Sequence, residues 1–420
     1  MKKIEIIGGN PLSGTIRIGG AKNAAVAIIP AAILCDEEAT ICNIPEISDV
    51  KALEDILDIL NVKVKRATET MVIDSSTMKN VCIPKEAAKK LRASYYFMGA
   101  LLGKNKRVEM YFPGGCSIGK RPINLHLDGF RKLGATIIEE KDKYIIEAKE
   151  LKGAKIYFDT PSVGATINVM LAAVKAKGVT TIENAAREPE IVNVATFLNN
   201  MGADIIGAGT SIIKIRGVEK LRKGFVEIIP DRIEAGTYLI MGALLGTNFK
   251  VDNIIPTHVD ALLDKLNEIG ANMEIGDDYV MFFEPRELKA TKIKTQVFPG
   301  FPTDLQQPFS ALLTACKGVS KVEENIYENR FMHVKYLNKM GAKIDVSKKT
   351  CTIKGPTPLK GKKVKATDLR AGAALIIAGL IARGKTTIED IEHILRGYDD
   401  IIGKLSNVGA KITLIEEKKN

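Results

Sequence analysis

Along this chain, stretches that are apolar at nearly every position alternate with stretches in which apolar and polar residues recur at helical spacing. Each of the amphipathic stretches closes on Leu-Gly-Ala or a near relative of it, and an alternating strand follows. The closing phrases are Leu60-Asn61-Val62, Leu133-Gly134-Ala135, Met201-Gly202-Ala203, Ile269-Gly270-Ala271, Met340-Gly341-Ala342 and Val408-Gly409-Ala410. Their spacing of about seventy residues is too long for a solenoid unit and suits a small βα module with two helices. The pattern predicts one module repeated six times.

Each copy begins with an Ala/Gly-rich helix, predicted over 21–34, 93–102, 164–176, 235–245, 305–317 and 371–383. Helices apolar nearly all round are buried. A turn and a β-rich stretch follow, such as 178–184 or 384–390, and then a loop leads to the amphipathic helix, for example 193–201. The glycine of the closing phrase ends that helix, because a positive φ costs glycine nothing. Function is expected in the loop entering the buried helix and in the loop between the β stretch and the amphipathic helix.

The entrance loops are Ala21-Lys22-Asn23, Leu91-Arg92-Ala93, Pro161-Ser162-Val163-Gly164, Pro230-Asp231-Arg232, Pro302-Thr303-Asp304 and Thr367-Asp368-Leu369-Arg370. These are helix N-termini, whose unpaired N–H groups attract anions. Lys22, Arg92, Arg232 and Arg370 oppose the helix dipole by about 0.3 to 1 kcal/mol each, which favours a partner anion. Ser162, Asp231, Thr303 and Asp368 are equally well explained as ordinary N-caps.

The second loop of the second copy, Phe112 to Pro122, holds three glycines, Cys116, Lys120 and Arg121. Adjacent cations lower a thiol pKa and favour the reactive thiolate, although a lone cysteine is commonly inert. The matching loops of the last two copies are Tyr327 to His333 and His393 to Tyr398. There Arg396 has Asp399 and Asp400 as alternative partners, and His333 and His393 read as satisfied structural histidines.

Composition adds exclusions. The 420 residues are 45% hydrophobic, 26% charged and only 5% aromatic, so the core is aliphatic and the six copies divide naturally into two groups of three. The net charge of +11 allows nucleic acid, a membrane surface or small anionic substrates. Lys360 to Lys365, the densest basic run, has no interleaved aromatics, and no Walker loop or RNA-binding signature occurs, so no nucleic-acid partner is expected. Glu5 stands where a signal peptide needs apolar residues, and the apolar stretches 24–35 and 373–382 fall short of the roughly 20 residues a membrane span requires. A soluble cytoplasmic protein follows. Six cysteines without paired spacing read as reduced thiols, and four scattered histidines suggest no metal site.

The chain resembles the enolpyruvyl transferases over essentially its whole length. The likeness rests on Gly20 to Ala25, Pro113 to Gly119, Ser162 to Thr166, Glu183 to Glu190, Phe301 to Asp304 and Glu328 to His333. It implies a two-domain inside-out α/β barrel built from six repeated modules. The first three-repeat domain would span 20–229, and the second would combine 1–19 with 230–420, with the buried-helix N-termini facing the cleft. The branch of the family acting on shikimate 3-phosphate lacks the Gly-Gly-Cys loop. The implied reaction therefore moves the enolpyruvyl group of phosphoenolpyruvate onto the 3′-hydroxyl of UDP-N-acetylglucosamine, the first committed step of peptidoglycan synthesis. It proceeds by addition and elimination and needs no cofactor or metal.

The same resemblance assigns roles. Asp304 matches the base at the sugar hydroxyl, and Cys116 the proton donor, which forms an adduct with phosphoenolpyruvate and is alkylated by fosfomycin. Lys22, Arg121 and Arg396 match the clamp on phosphate and carboxylate, with Asn23 a neighbouring contact. Arg92, Arg121, Pro122, Ile123, Asn124, Leu125, Thr160, Pro161, Ser162, Val163, Gly164 and Ile326 match positions binding the nucleotide sugar, and Asp368 and Arg370 match positioning residues. Ser48 and Thr160-Pro161 depart from more cationic positions of relatives, and the doubled Gln306-Gln307 has no assigned meaning.

Overall fold

The computed structural model describes residues 2–114 and 122–416. Six apolar helices form where the pattern places them: α1 (Lys22–Ala31), α2 (Tyr96–Asn105), α3 (Val163–Ala173), α4 (Arg232–Leu245), α5 (Gln306–Leu313) and α6 (Leu369–Ile381). All residues of α3 from Gly164 to Ala173, and all of α6 from Arg370 to Leu380, are buried. The small residues permit the close packing this requires. A Cβ on Gly99 of α2 would stand 2.3 Å from the carbonyl oxygen of Asn168 on α3, so the two backbones touch there. α1 is shorter than predicted because its end tightens into a 3₁₀ turn at Ala32–Leu34, and 3₁₀ turns at Arg92–Tyr95 and Thr303–Leu305 precede α2 and α5.

Among the described residues the strands form six sheets. In one, Lys155–Tyr157 runs parallel to Val179–Glu183, which pairs antiparallel with Ile212–Arg216, which pairs antiparallel with Asp204–Ile206. Four other sheets repeat this arrangement of one parallel edge and two antiparallel ladders. The sixth keeps the antiparallel ladders, and a single parallel bridge between Ile83 and Met110 replaces its fourth strand. Alternating burial along Ile212–Arg216 shows one face on the core and one in water. The barrel expected from sequence is corrected here: among the described residues no sheet closes on itself. Three or four strands leave two free edges, whereas small closed barrels typically use about eight.

The described residues make two compact units, each with its own aliphatic core. A terminal unit contains residues 2–19 and 230–416, and an inserted unit contains 20–114 and 122–229. In the terminal unit Lys2–Ile7 lies between Lys385–Glu389 and Lys411–Glu416, and Leu12–Arg17 pairs parallel with Gly246–Asp252. No helix among the described residues is long and apolar enough to cross a membrane.

The closing glycines have the predicted backbone. Gly134, Gly202, Gly270, Gly341 and Gly409 take φ of 97, 100, 94, 107 and 102°, and Asn61 takes 58° in the first copy. At Gly202 a Cβ would meet nothing within 4 Å, so only conformational strain opposes a side chain there. Gly202→Ala is expected to destabilise the protein by about 1 kcal/mol, read as a lowered midpoint of urea unfolding; an unchanged midpoint would contradict a strained positive φ.

Candidate active site

In the terminal unit the turn Thr303–Leu305 presents Asp304 to two arginines. Arg330 Nη1 lies 2.8 Å from Asp304 Oδ1, and Arg370 Nη2 lies 3.3 Å from Oδ2. Both guanidiniums are nearly out of water, with side chains 5% and 4% exposed, whereas Asp304 is 25% exposed. Burial pushes the Asp304 carboxyl up, but the charges of Arg330, Arg370 and Arg232 outweigh it and hold the group well below the usual carboxylate range. Each arginine also lies over an aromatic ring, Arg330 on Tyr327 at 5.1 Å and Arg370 on Tyr398 at 5.4 Å.

Arg330 Nε and Arg370 Nη1 are buried and have no acceptor among the described residues. Buried cationic donors are costly to leave unsatisfied, and an anion is chemically suited to satisfy them. The surroundings fix both arginines. Asp368 caps α6 by accepting from the amides of Arg370 and Ala371 at 2.9 and 3.0 Å, and Gln307 Nε2 donates to its other oxygen at 3.3 Å. Gln306 Nε2 donates to the carbonyl of Arg330 at 3.1 Å. The doubled glutamine thus ties the start of α5 to both arginine segments, a meaning that the sequence did not disclose.

In the inserted unit Lys22 opens α1 and pairs with buried Asp49 at 2.9 Å, and Asn23 beside it is half-buried. Ser162 caps α3, accepting from the amide of Ala165 at 3.2 Å. Arg92 lies over Tyr95 at 5.9 Å, and Tyr95 meets the ring of His126 edge-on at 4.7 Å. Asn168 Oδ1 accepts from Gly99 N at 2.8 Å, so its Nδ2 faces His126 Nδ1 at 2.9 Å as a donor. The imidazole proton therefore sits on Nε2, on the side toward Gly164, where an added Cβ would come within 3.0 Å of that nitrogen.

The structure brings Asp304, Asp368 and Arg370 together in one unit, and sets Lys22, Arg92 and the Ser162-Val163-Gly164 turn at helix starts of the other. Ile326 is half-buried, Thr160 exposed, and Pro122 and Ile123 lead into the helix Asn124–Lys132, which Asn124 and Leu125 open. Arg396 is half-buried after the short helix Glu392–Leu395, while its alternative partner Asp400 caps Ile401–Asn407 through the amide of Gly403 at 3.1 Å. Cys116 and Arg121 lie outside the described residues.

At the helix starts Lys22 and Arg370 have carboxylate partners within the protein. Two readings are corrected. Thr303 is not an N-cap: its hydroxyl accepts from Arg330 Nη1 at 2.9 Å and contacts Glu324. His333 is buried but not satisfied, for neither ring nitrogen has a partner among the described residues, and burial holds it neutral with a pKa of about 4. Arg330 was missed as a site residue, although the quoted Glu328 to His333 motif contained it. Cys35, Cys42, Cys82, Cys316 and Cys351 are free thiols, and no cluster of three potential metal ligands occurs among the described residues.

Comparison with known proteins identifies the family. The profile of the family described as EPSP synthase (3-phosphoshikimate 1-carboxyvinyltransferase) matches residues 6–405. The enolpyruvyl transferase NikO from Streptomyces tendae superposes with a TM-score of 0.88 at 26% identity, covering 98% of each chain. EPSP synthase from Acinetobacter baumannii shares the fold with a TM-score of 0.74 at 19% identity, covering 99% of this chain and 100% of that one. UDP-N-acetylglucosamine 1-carboxyvinyltransferase 2 of Geobacillus kaustophilus is 53% identical over 412 residues, 98% of this chain and 96% of its own. The protein of that name from Listeria monocytogenes is 52% identical over 411 residues, 98% of this chain and 97% of its own. The chain belongs to the EPSP synthase family and, within it, to the UDP-N-acetylglucosamine 1-carboxyvinyltransferases.

The His126 environment yields a pH test. Burial, reinforced by the charge of Arg92, pushes its pKa from 6.5 down to about 3. The unfolded chain takes up a proton that the folded one refuses, so this contribution is present above pH 6.5 and is lost as pH falls through the window toward 3. Between pH 6.5 and about 4.5 the wild-type protein should lose about 2 kcal/mol more stability than His126→Gln, measured by urea unfolding. Equal losses would mean that the ring is not held neutral.

Proposed function

We infer that this chain transfers the enolpyruvyl group of phosphoenolpyruvate to the 3′-hydroxyl of UDP-N-acetylglucosamine, with release of phosphate, in the first committed step of peptidoglycan synthesis. The observation that carries the site assignment is the pair of buried guanidiniums flanking Asp304, each with a donor left over. Phosphoenolpyruvate offers a phosphate and a carboxylate, both matched to such donors.

In this reading the sugar oxygen adds to C2 of phosphoenolpyruvate while its proton passes to Asp304 and Cys116 delivers a proton to C3. The tetrahedral intermediate then loses a C3 proton as the C2 to phosphate oxygen bond breaks, leaving the enol ether. A carboxylate held as low as Asp304 is a poor proton acceptor. An anion settling on Arg330 and Arg370 weakens their hold and raises its basicity, so substrate arrival prepares the base. Lys22, Arg121 and Arg396 clamp phosphate and carboxylate with Asn23 beside them. Arg92, residues 121–125, 160–164 and Ile326 take the nucleotide sugar, and Asp368 and Arg370 position the reacting groups.

The six sheet-and-helix sets act as copies of one module, three in residues 20–229 and three in 1–19 with 230–420. The working compartment is the cytoplasm, and Cys116 is the residue that fosfomycin alkylates and that carries the pyruvate adduct.

Phosphate release from phosphoenolpyruvate should require UDP-N-acetylglucosamine and should not be supported by shikimate 3-phosphate; the reverse dependence would overturn the acceptor. Asp304→Ala should lower kcat by about 1,000-fold, and a near-normal rate would remove it as base. Cys116→Asp should turn over in the presence of fosfomycin, and inhibition equal to wild type would remove Cys116 from the site.

A further inference from the structure

Glu324 follows the strand Gly318–Glu323 and is 3% exposed. Five donors from three segments converge on its carboxylate. Oε1 accepts from Thr295 Oγ1 at 2.9 Å and from the amides of Ile326 and Tyr327 at 2.9 and 3.2 Å. Oε2 accepts from Gln306 Nε2 at 3.3 Å, and Thr303 Oγ1 lies 3.0 and 2.9 Å from the two oxygens.

The direction of these bonds is fixed. A guanidinium only donates, so the Thr303 hydroxyl accepts from Arg330 and gives its single proton to Glu324. The two hydrogens of Arg330 Nη1 are thereby divided between Thr303 and Asp304. We propose that Glu324 is a positioning residue for the transfer reaction: through Thr303 it sets the direction in which Arg330 meets Asp304, and through two amides it anchors the Ile326 segment against the same turn. The proposal rests on the reading that Asp304, Arg330 and Ile326 serve one active site.

Only an acceptor-only group fits the position. A glutamine would turn its amide nitrogen either toward Gln306 Nε2 and the Thr303 proton or toward the amides of Ile326 and Tyr327, and donors would meet in both cases. Gln306 cannot yield by flipping, because its Nε2 is also committed to the Arg330 carbonyl and its Oε1 accepts from Ser310 at 3.2 Å.

The discriminating pair is Thr303→Ser and Thr303→Val. Valine keeps the shape of threonine without the hydroxyl, and serine keeps the hydroxyl but leaves a methyl-sized hole. A relay role predicts that Thr303→Ser retains kcat within about threefold, whereas Thr303→Val and Glu324→Gln lose about tenfold to a hundredfold, with smaller changes in KM for phosphoenolpyruvate. The opposite order for serine and valine overturns it. Thr303 decides the matter if Glu324→Gln does not fold. A crystal structure of Thr303→Val asks the same question without turnover: Arg330 Nη1 should leave its place beside residue 303 and change its approach to Asp304, and an unmoved guanidinium overturns the proposal. Absence of turnover in the wild-type enzyme would instead count against the functional reading.

Discussion

Two guanidinium groups withdrawn almost completely from water are the constraint around which the terminal unit is arranged. Taking an ion out of water costs several kcal/mol, and the cost is offset only where geometry and hydrogen bonding are good. Here the offset is divided among Asp304, the Thr303 hydroxyl and the faces of Tyr327 and Tyr398. It is incomplete, because a donor on each arginine stays open. In the proposed site this state aims the dipoles in advance of substrate, the arrangement that stabilises developing charge at least cost in reorganisation.

Such a site needs a rigid support, and the apolar helices provide it. Asp304, Arg370 and Asp368 stand at the starts of α5 and α6, whose bodies are wholly or almost wholly buried. Small residues let helices approach at backbone distance, and the polar side chains at their ends bond across from one helix to the next, as Gln307 does to Asp368. A displacement of one helix start is thus felt at the other. The same logic holds in the inserted unit, where Asn168 from α3 reaches the amide of Gly99, the carbonyl of Tyr95 and the ring of His126.

What the sequence disclosed follows from what is local. The closing glycines need a positive φ, the apolar helices are defined by composition, and Ser162, Asp231 and Asp368 cap their helices as their types suggest. The closed barrel did not follow, since the edges of a sheet are decided by which strands meet in space. Thr303 looked like a cap because its position along the chain is a cap position, and only Arg330 and Glu324, more than twenty residues downstream, redirect its hydroxyl. Glu324 itself was invisible, as a carboxylate at a strand end usually faces water. The resemblance gave Asp304 a role and none to Arg330, its shorter contact, although a quoted motif contained both it and its neighbours.

The placement of Lys2–Ile7 has a consequence for how the protein is made. This strand is synthesised well before either of its partners, Lys385–Glu389 and Lys411–Glu416, with the whole inserted unit between them. The inserted unit draws its described elements from an intermediate stretch and can complete its core while synthesis continues. The terminal unit cannot, so Lys2–Ile7 must wait with both hydrogen-bonding edges bare until those two strands have been made, and the burden of keeping nascent chains apart falls on that interval.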